Sequence, residues 1–166
     1  MENSPRVLVV EDEIAHQDIL ESALEDGGFS VAKATTGEEA LVMLDAEDAK
    51  YRAVITDVNL GSAKVTGWQV AKRAREKNSE LPIVYMTGGG GHDWGSMGVP
   101  NSVLLTKPFA AAQVVTAVSQ LLNLGNTPGP NALSQQNVSQ RRRDLREPLP
   151  MRAEISRGCS ASRCRT

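Results

Sequence analysis

The chain lacks any run long and apolar enough to cross a bilayer, and Met1-Glu2-Asn3-Ser4-Pro5 lacks the basic, apolar character of a secretion signal. A cytoplasmic protein is the expectation. Cysteine is scarce too: Cys159 and Cys164 are the only two, and no histidine lies near them. A zinc site needs about four ligands, so reduced, inert thiols are the reading. Aromatic residues are few, and none follows Gly125.

That last stretch is poor in everything a core needs. Residues 126–166 carry four prolines, five serines, the run Arg141-Arg142-Arg143 and only scattered Leu, Val, Ile and Met. Such a composition cannot offset the entropy of ordering the chain, which predicts disorder or local helix only. Charge changes at the same place. The tail holds eight arginines against three acids (+5), whereas residues 1–125 hold ten basic and seventeen acidic residues (−7). The net charge of −2 therefore hides two opposite halves. The boundaries follow: a domain over 5–124 and a basic tail over 125–166.

Within the domain, short apolar runs alternate with amphipathic segments. Arg6–Val10, Phe29–Ala32, Ala53–Thr56, Pro82–Met86 and Val103–Leu105 are rich in β-branched or bulky residues, and several lack polar alternation. Burial on both faces of a sheet has that appearance. Between them, Ala15, Ile19, Leu20, Ala23 and Leu24 form one apolar stripe that Gly27-Gly28 stops. Thr36 with Glu39 is a capping-box pattern that opens a second helix through Leu44. Trp68, Ala71 and Ala74 mark a third helix, and Val114, Ala117, Val118 and Leu121 mark the last. Five alternations predict an α/β fold, a doubly wound parallel sheet with helices on both faces.

Four of the runs end on chemistry. Glu11 and Asp12 follow the first, Asp57 the third, Thr87 the fourth and Lys107 the fifth. Open α/β sheets bind ligands in the crevice at the carboxyl ends of their strands, so these residues are expected to share one pocket. Two carboxylates about 5 Å apart repel by roughly 3 kcal/mol at an effective dielectric of about 20. Three together must take up protons or hold a cation, and hard oxygen donors favour magnesium. A carboxylate beside magnesium can attack phosphorus. Asp57, alone at the end of the central run, suits that role, with Glu11 and Asp12 as metal ligands. Lys107 and Thr87 would bind the added phosphoryl group, and Pro108 fixes the turn, with a cis peptide bond as one option.

Val7-Leu8-Val9-Val10-Glu11-Asp12-Glu13, Val54-Ile55-Thr56-Asp57, Tyr85-Met86-Thr87-Gly88 and Leu105-Thr106-Lys107-Pro108-Phe109, taken in this order, resemble the receiver domain of two-component response regulators. The resemblance implies a flavodoxin-like, CheY-like sheet of five strands in the order 2-1-3-4-5. It implies phosphotransfer from a histidine kinase or phosphotransfer protein to Asp57, with Mg2+ as cofactor, and an acyl phosphate that switches binding to a downstream protein of unknown identity. Glu11 and Asp12 match the metal-binding pair, and Asn59 matches the position whose main-chain carbonyl also ligates the ion. Thr87 matches the switch hydroxyl and Lys107 the phosphate-binding lysine. Such a protein is a signalling module that assists its own phosphotransfer, not an enzyme in the usual sense.

Three departures stand out. Leu104 occupies the place, three before Lys107, where the family usually has an aromatic. Gly61 replaces the usual proline, and the loop through Gly67 is longer than in most receivers, with Lys64 available to a partner. Gly88-Gly89-Gly90-Gly91, Gly95 and Gly98 disfavour a fourth helix, at about 1 kcal/mol per glycine relative to alanine. Trp94 in this stretch is expected to be partly buried. His16, flanked by Gln17 and Asp18, reads as an exposed helix-surface residue rather than a phosphohistidine.

Other functions compete less well. The arginine-rich tail could give sequence-blind affinity for nucleic acid, the alternative reading, although such runs are more often simply solvated. Apart from that tail, neither nucleic acid nor a membrane is expected as a partner. A phosphatase of the haloacid dehalogenase type would need a second aspartate where Asn59 stands. A flavin carrier would place the acidic pair against a phosphate.

Overall fold

Strand and helix alternate as the apolar runs predict. The computed structural model describes residues 4–61, 64–89 and 91–124. The basic tail, both cysteines, Ser62, Ala63 and Gly90 lie outside the described residues. Strands β1 (Arg6–Val10), β2 (Ser30–Ala34), β3 (Ala53–Asp57), β4 (Ile83–Thr87) and β5 (Ser102–Thr106) alternate with helices α1 (Ile14–Asp26), α2 (Gly37–Asp45), α3 (Gly67–Lys77), α4 (Trp94–Met97) and α5 (Ala111–Leu124). All strand pairs are parallel. Their order is β2-β1-β3-β4-β5, as the resemblance implies.

Strand alternation divides the core in two. Leu8, Val10, Val54, Ile83 and Tyr85 face one side with Ala40 and Leu44 of α2 and Val70, Ala71 and Ala74 of α3. Val7, Val9, Ile55, Val84 and Met86 face the other with Leu20 and Leu24 of α1 and Val114, Ala117 and Val118 of α5. Every residue of β3 and β4 is buried, which is why their runs show no polar alternation. Each fully buried aliphatic side chain contributes about 1.5–3 kcal/mol relative to exposure. These two layers hold the strand ends in register.

Local signals decide the helix ends, with some shifts from the sequence reading. After α1, Gly28 takes φ +86°, the left-handed conformation that glycine tolerates. At α2, the Thr36 hydroxyl accepts the Glu39 amide at 3.1 Å, but the Glu39 carboxylate reaches back to Thr35, not Thr36. Only half of the expected capping box forms. A reciprocal partner occurs instead at α3, where the Thr66 amide donates to the Gln69 side chain at 2.9 Å. Helix α4 is four residues long and follows a single 3-10 turn, Gly91–Asp93, as the glycines require.

The apolar stripe of α1 is narrower than its sequence suggests. Leu20 and Leu24 are buried, whereas Ala15 is exposed and Ile19 is 58% exposed. Ile19 lies one residue, about 100° of helix, from Leu20 and so points away from the sheet. Gln17, which with Asp18 beside His16 reads as part of a solvated face, is buried. Its amide nitrogen donates to the Ala34 carbonyl at 3.0 Å and to the Glu11 carbonyl at 3.4 Å.

Candidate functional site

The order of the strands brings the four chemical ends together. Glu11 follows β1, Asp57 closes β3, Thr87 closes β4 and Lys107 follows β5, and these strands are neighbours in the sheet. The chain reverses direction across the sheet at β1, so this edge is the crevice where such folds take ligands. Glu11 and Asp57 continue the strand parity of the α1 and α5 face, whereas Thr87 shares the parity of Tyr85 on the α2 and α3 face.

Charge is concentrated there. Glu11, Asp12 and Asp57 each offer an oxygen within 4.8 Å of the others. Glu11 and Asp57 are buried and Asp12 is exposed. The Lys107 ammonium donates to Asp57 Oδ2 at 2.6 Å and to Glu11 Oε2 at 2.9 Å. Burial pushes the Glu11 carboxyl above its ordinary value, against the pull of Lys107 and with the aid of the Asp57 charge. For Lys107 burial acts downward, but its hydrogen bonds to Asp57 and Glu11 outweigh it and hold the ammonium above its ordinary value. One cation thus serves two buried carboxylates.

Main-chain groups fix the acidic side chains. The Asn59 amide donates to Asp57 Oδ1 at 2.9 Å. Gly61, at φ +53°, brings its backbone so close to Asp12 that a Cβ would lie 2.7 Å from Asp12 Oδ2. Gly67 opens α3 against the Asp57 carbonyl oxygen, which a Cβ there would overlap. The long loop is anchored at its far side, where the Lys64 amide donates to Glu38 Oε1 at 2.9 Å and Val65 packs on Gly37. Lys64 itself is exposed.

Not every expected residue meets the cluster. The Thr87 hydroxyl donates to the Gly89 carbonyl at 2.7 Å and so faces its own loop. Its carbonyl accepts the Lys107 amide at 2.7 Å, which ties the ends of β4 and β5. The Lys107-Pro108 bond is cis. Asn59 is exposed, and its contact with Asp57 runs through the amide. His16 is also exposed, 3.0 Å from Glu13. It lines a cavity of about 530 Å³ with Glu11, Leu20, Lys107 and Phe109, between α1 and the start of α5.

Gln17 and Gly67 support the site yet carry no pattern that singles them out. A polar residue one turn after an acidic pair could have been tested as a buried brace, and a glycine before Trp68 as a close approach. Neither signal is specific.

No helix among the described residues is long and apolar enough to cross a membrane. Comparison with known proteins agrees with this geometry. The family model for the response regulator receiver domain matches residues 7–119. Among curated proteins, the probable transcriptional regulatory protein SilR of Salmonella typhimurium is 32% identical over 124 residues, 74% of this chain and 53% of SilR. The alkaline phosphatase synthesis transcriptional regulatory protein PhoP of Bacillus subtilis is 30% identical over 129 residues, 76% of this chain and 52% of PhoP. The chain thus spans about half the length of these curated relatives. Among solved structures, a response regulator receiver protein from Sinorhizobium medicae superposes with TM-score 0.69 at 43% identity, covering 74% of this chain and 98% of that one. The Vibrio cholerae chemotaxis protein CheY4 gives 0.63 at 27% identity, with 72% and 99% covered. A five-stranded parallel sheet with clustered carboxylates and a lysine at its carboxyl edge, matched over residues 7–119, makes this chain a member of the response regulator receiver domain family of two-component systems.

Proposed function

We propose that Asp57 accepts a phosphoryl group from the phosphohistidine of a histidine kinase or phosphotransfer protein. The observation that supports this most is the gathering of Glu11, Asp12 and Asp57 within 4.8 Å, with Lys107 bonded to two of them. An Asp57 oxygen attacks phosphorus, the O–P bond forms as the P–N bond of the phosphoimidazole breaks, and the histidine leaves with the electron pair. The carboxylate is its own nucleophile and needs no general base, so the module assists its own phosphotransfer. The cavity beside Lys107 leaves room for the donor's imidazole on the α1 side.

The donor set fits magnesium, because every candidate ligand is a hard oxygen and a buried carboxylate such as Glu11 is costly to keep charged. Glu11, Asp12, Asp57 and the Asn59 main-chain carbonyl are the ligands we assign. When bound, the ion would neutralise charge on the incoming phosphoryl group. Lys107 then donates to a phosphoryl oxygen, and the Thr87 hydroxyl turns from Gly89 to another. Residues 5–124 form this receiver in our reading, followed by a basic tail over 125–166. The phosphorylated form changes affinity for a downstream protein. DNA association through the tail is the second reading and is not favoured; the family match over residues 7–119 supports the receiver reading.

Acetyl phosphate tests the assignment. In magnesium the wild-type chain should gain one hydroxylamine-labile phosphoryl group. Asp57→Asn, or chelation of the metal, should abolish it. Undiminished labelling of Asp57→Asn would overturn the assignment.

A further inference from the structure

The ring that is missing three residues before Lys107 stands one strand away. Leu104 pairs in register with Tyr85 of β4. Tyr85 is fully buried and lies two residues before Thr87, on the same face of the strand. Its ring centroid is 4.5 Å from that of Trp68, at an interplanar angle of 51°. Trp68 directly follows Gly67, whose amide donates to the Val58 carbonyl at 3.1 Å and whose backbone presses on the Asp57 carbonyl. The start of α3 cannot shift without disturbing the main chain that carries Asp57.

From Tyr85 a line of hydrogen bonds runs outward. The Tyr85 hydroxyl oxygen accepts the Val99 amide at 3.2 Å. The Val99 carbonyl accepts the Ser102 hydroxyl at 2.6 Å, and Ser102 Oγ accepts the Trp94 indole N–H at 3.1 Å. A serine hydroxyl donates one proton and accepts others, so Ser102 can serve both partners. Gly98 leaves the space, since a Cβ there would lie 2.5 Å from Trp94 Cδ1. Trp94 ends the line at the surface, 37% exposed, next to Met97 at 55%.

We infer that this line carries the state of the phosphoacceptor site from Asp57 and Thr87 through Tyr85 to Trp94, in place of an aromatic on β5. The inference rests on the phosphoacceptor reading. A phosphoryl group on Asp57 adds roughly 1.5–2 negative charges and three acceptor oxygens beside Thr87 and Lys107. The Thr87 hydroxyl leaves Gly89 for it, the end of β4 moves, and Tyr85 on the same strand face moves with it. At 3.2 Å the bond to Val99 is at the long limit for N–H···O, so a small displacement breaks it. Released Val99 frees Ser102, and the indole leaves its seat on β5. Tyr85, Val99 and Ser102 are positioning residues, and the surface presented by Trp94 and Met97 is what a partner would read.

Fluorine NMR on the full chain labelled with 5-fluorotryptophan tests this, because Trp68 and Trp94 are the only two indoles. Trp94→Phe assigns the two resonances, and beryllofluoride with magnesium supplies the phosphoryl mimic. In wild type both resonances should shift on binding. In Tyr85→Phe the Trp68 shift should persist while most of the Trp94 shift is lost, because the Val99 amide has no hydroxyl to release when beryllofluoride binds. Ser102→Ala leaves the buried aromatic pair intact and should produce the same loss, whether or not Tyr85→Phe folds. An undiminished Trp94 shift in either variant overturns the relay. So does wild type in which bound beryllofluoride moves Trp68 alone. Wild type that binds no beryllofluoride overturns the phosphoacceptor reading together with the relay.

Discussion

Lys107 Nζ lies 2.6 Å from Asp57 Oδ2 and holds Glu11 with the same ammonium, so one side chain bridges the buried pair and offsets one of its two charges. Removing it should leave two buried carboxylates facing each other. We expect Lys107→Ala to lower stability in chelator by about 3 kcal/mol. Magnesium should then raise its melting temperature more than that of wild type, since the ion takes over the lost neutralisation. Thermal unfolding with and without magnesium checks this; an equal or smaller rise in the variant contradicts it.

Close backbone contact makes a second prediction. Gly67→Ala places a methyl group on the Asp57 carbonyl oxygen, a main-chain atom that cannot swing aside. Stability should fall by about 3 kcal/mol, the upper range for overpacking. Gly88, with nothing within 4 Å of a Cβ, should accept alanine with little change. Urea unfolding of the two variants decides, and equal midpoints would contradict the contact.

Tyr85 predicts an alkaline limb. Burial pushes its phenol above the ordinary value, opposed by the Val99 amide and Arg75. The folded state therefore binds the phenolic proton more tightly than the unfolded chain does. That contribution is complete below the unfolded value, about pH 10, and is lost as pH rises from there through the folded value. Tyr85→Phe should flatten the fall in stability above that point and cost about 1 kcal/mol at neutral pH, where the Val99 amide loses its acceptor. Denaturation across the alkaline range measures both, and parallel curves for the two proteins would contradict the assignment.

Gln17 ties the base of the site. Its amide joins the Glu11 and Ala34 carbonyls across β1 and β2. Gln17→Leu removes that link from a buried place and should cost about 1–2 kcal/mol. Gln17→Glu should cost more, because it buries a charge where two carbonyl oxygens converge. Chemical unfolding ranks the two, and the reverse order would contradict the buried geometry.

The strand ends were legible because period and chemistry coincide. Four apolar runs end on Glu11, Asp57, Thr87 and Lys107, and parallel pairing alone brings such ends to one edge. The glycines after Thr87 foretold a short fourth helix for the same local reason. What stayed hidden depends on partners far along the chain. Gln17 is buried only because the Ala34 carbonyl meets it, and Ile19 is exposed only because α1 turns Leu20 toward the sheet. Leu104 read as a missing ring, whereas the ring of Tyr85 fills the neighbouring place by strand pairing. Gly67 looked like a loop residue until its distance to Asp57 was known.

Mapping the phosphoryl group tests the central claim most directly. Wild-type chain treated with acetyl phosphate in magnesium, then reduced with borohydride, converts an aspartyl phosphate to homoserine at the acceptor position, which peptide mass spectrometry locates. The account predicts homoserine at position 57 and none in chelator. Modification at Glu11, Asp12 or another residue, with Asp57 intact, would contradict it.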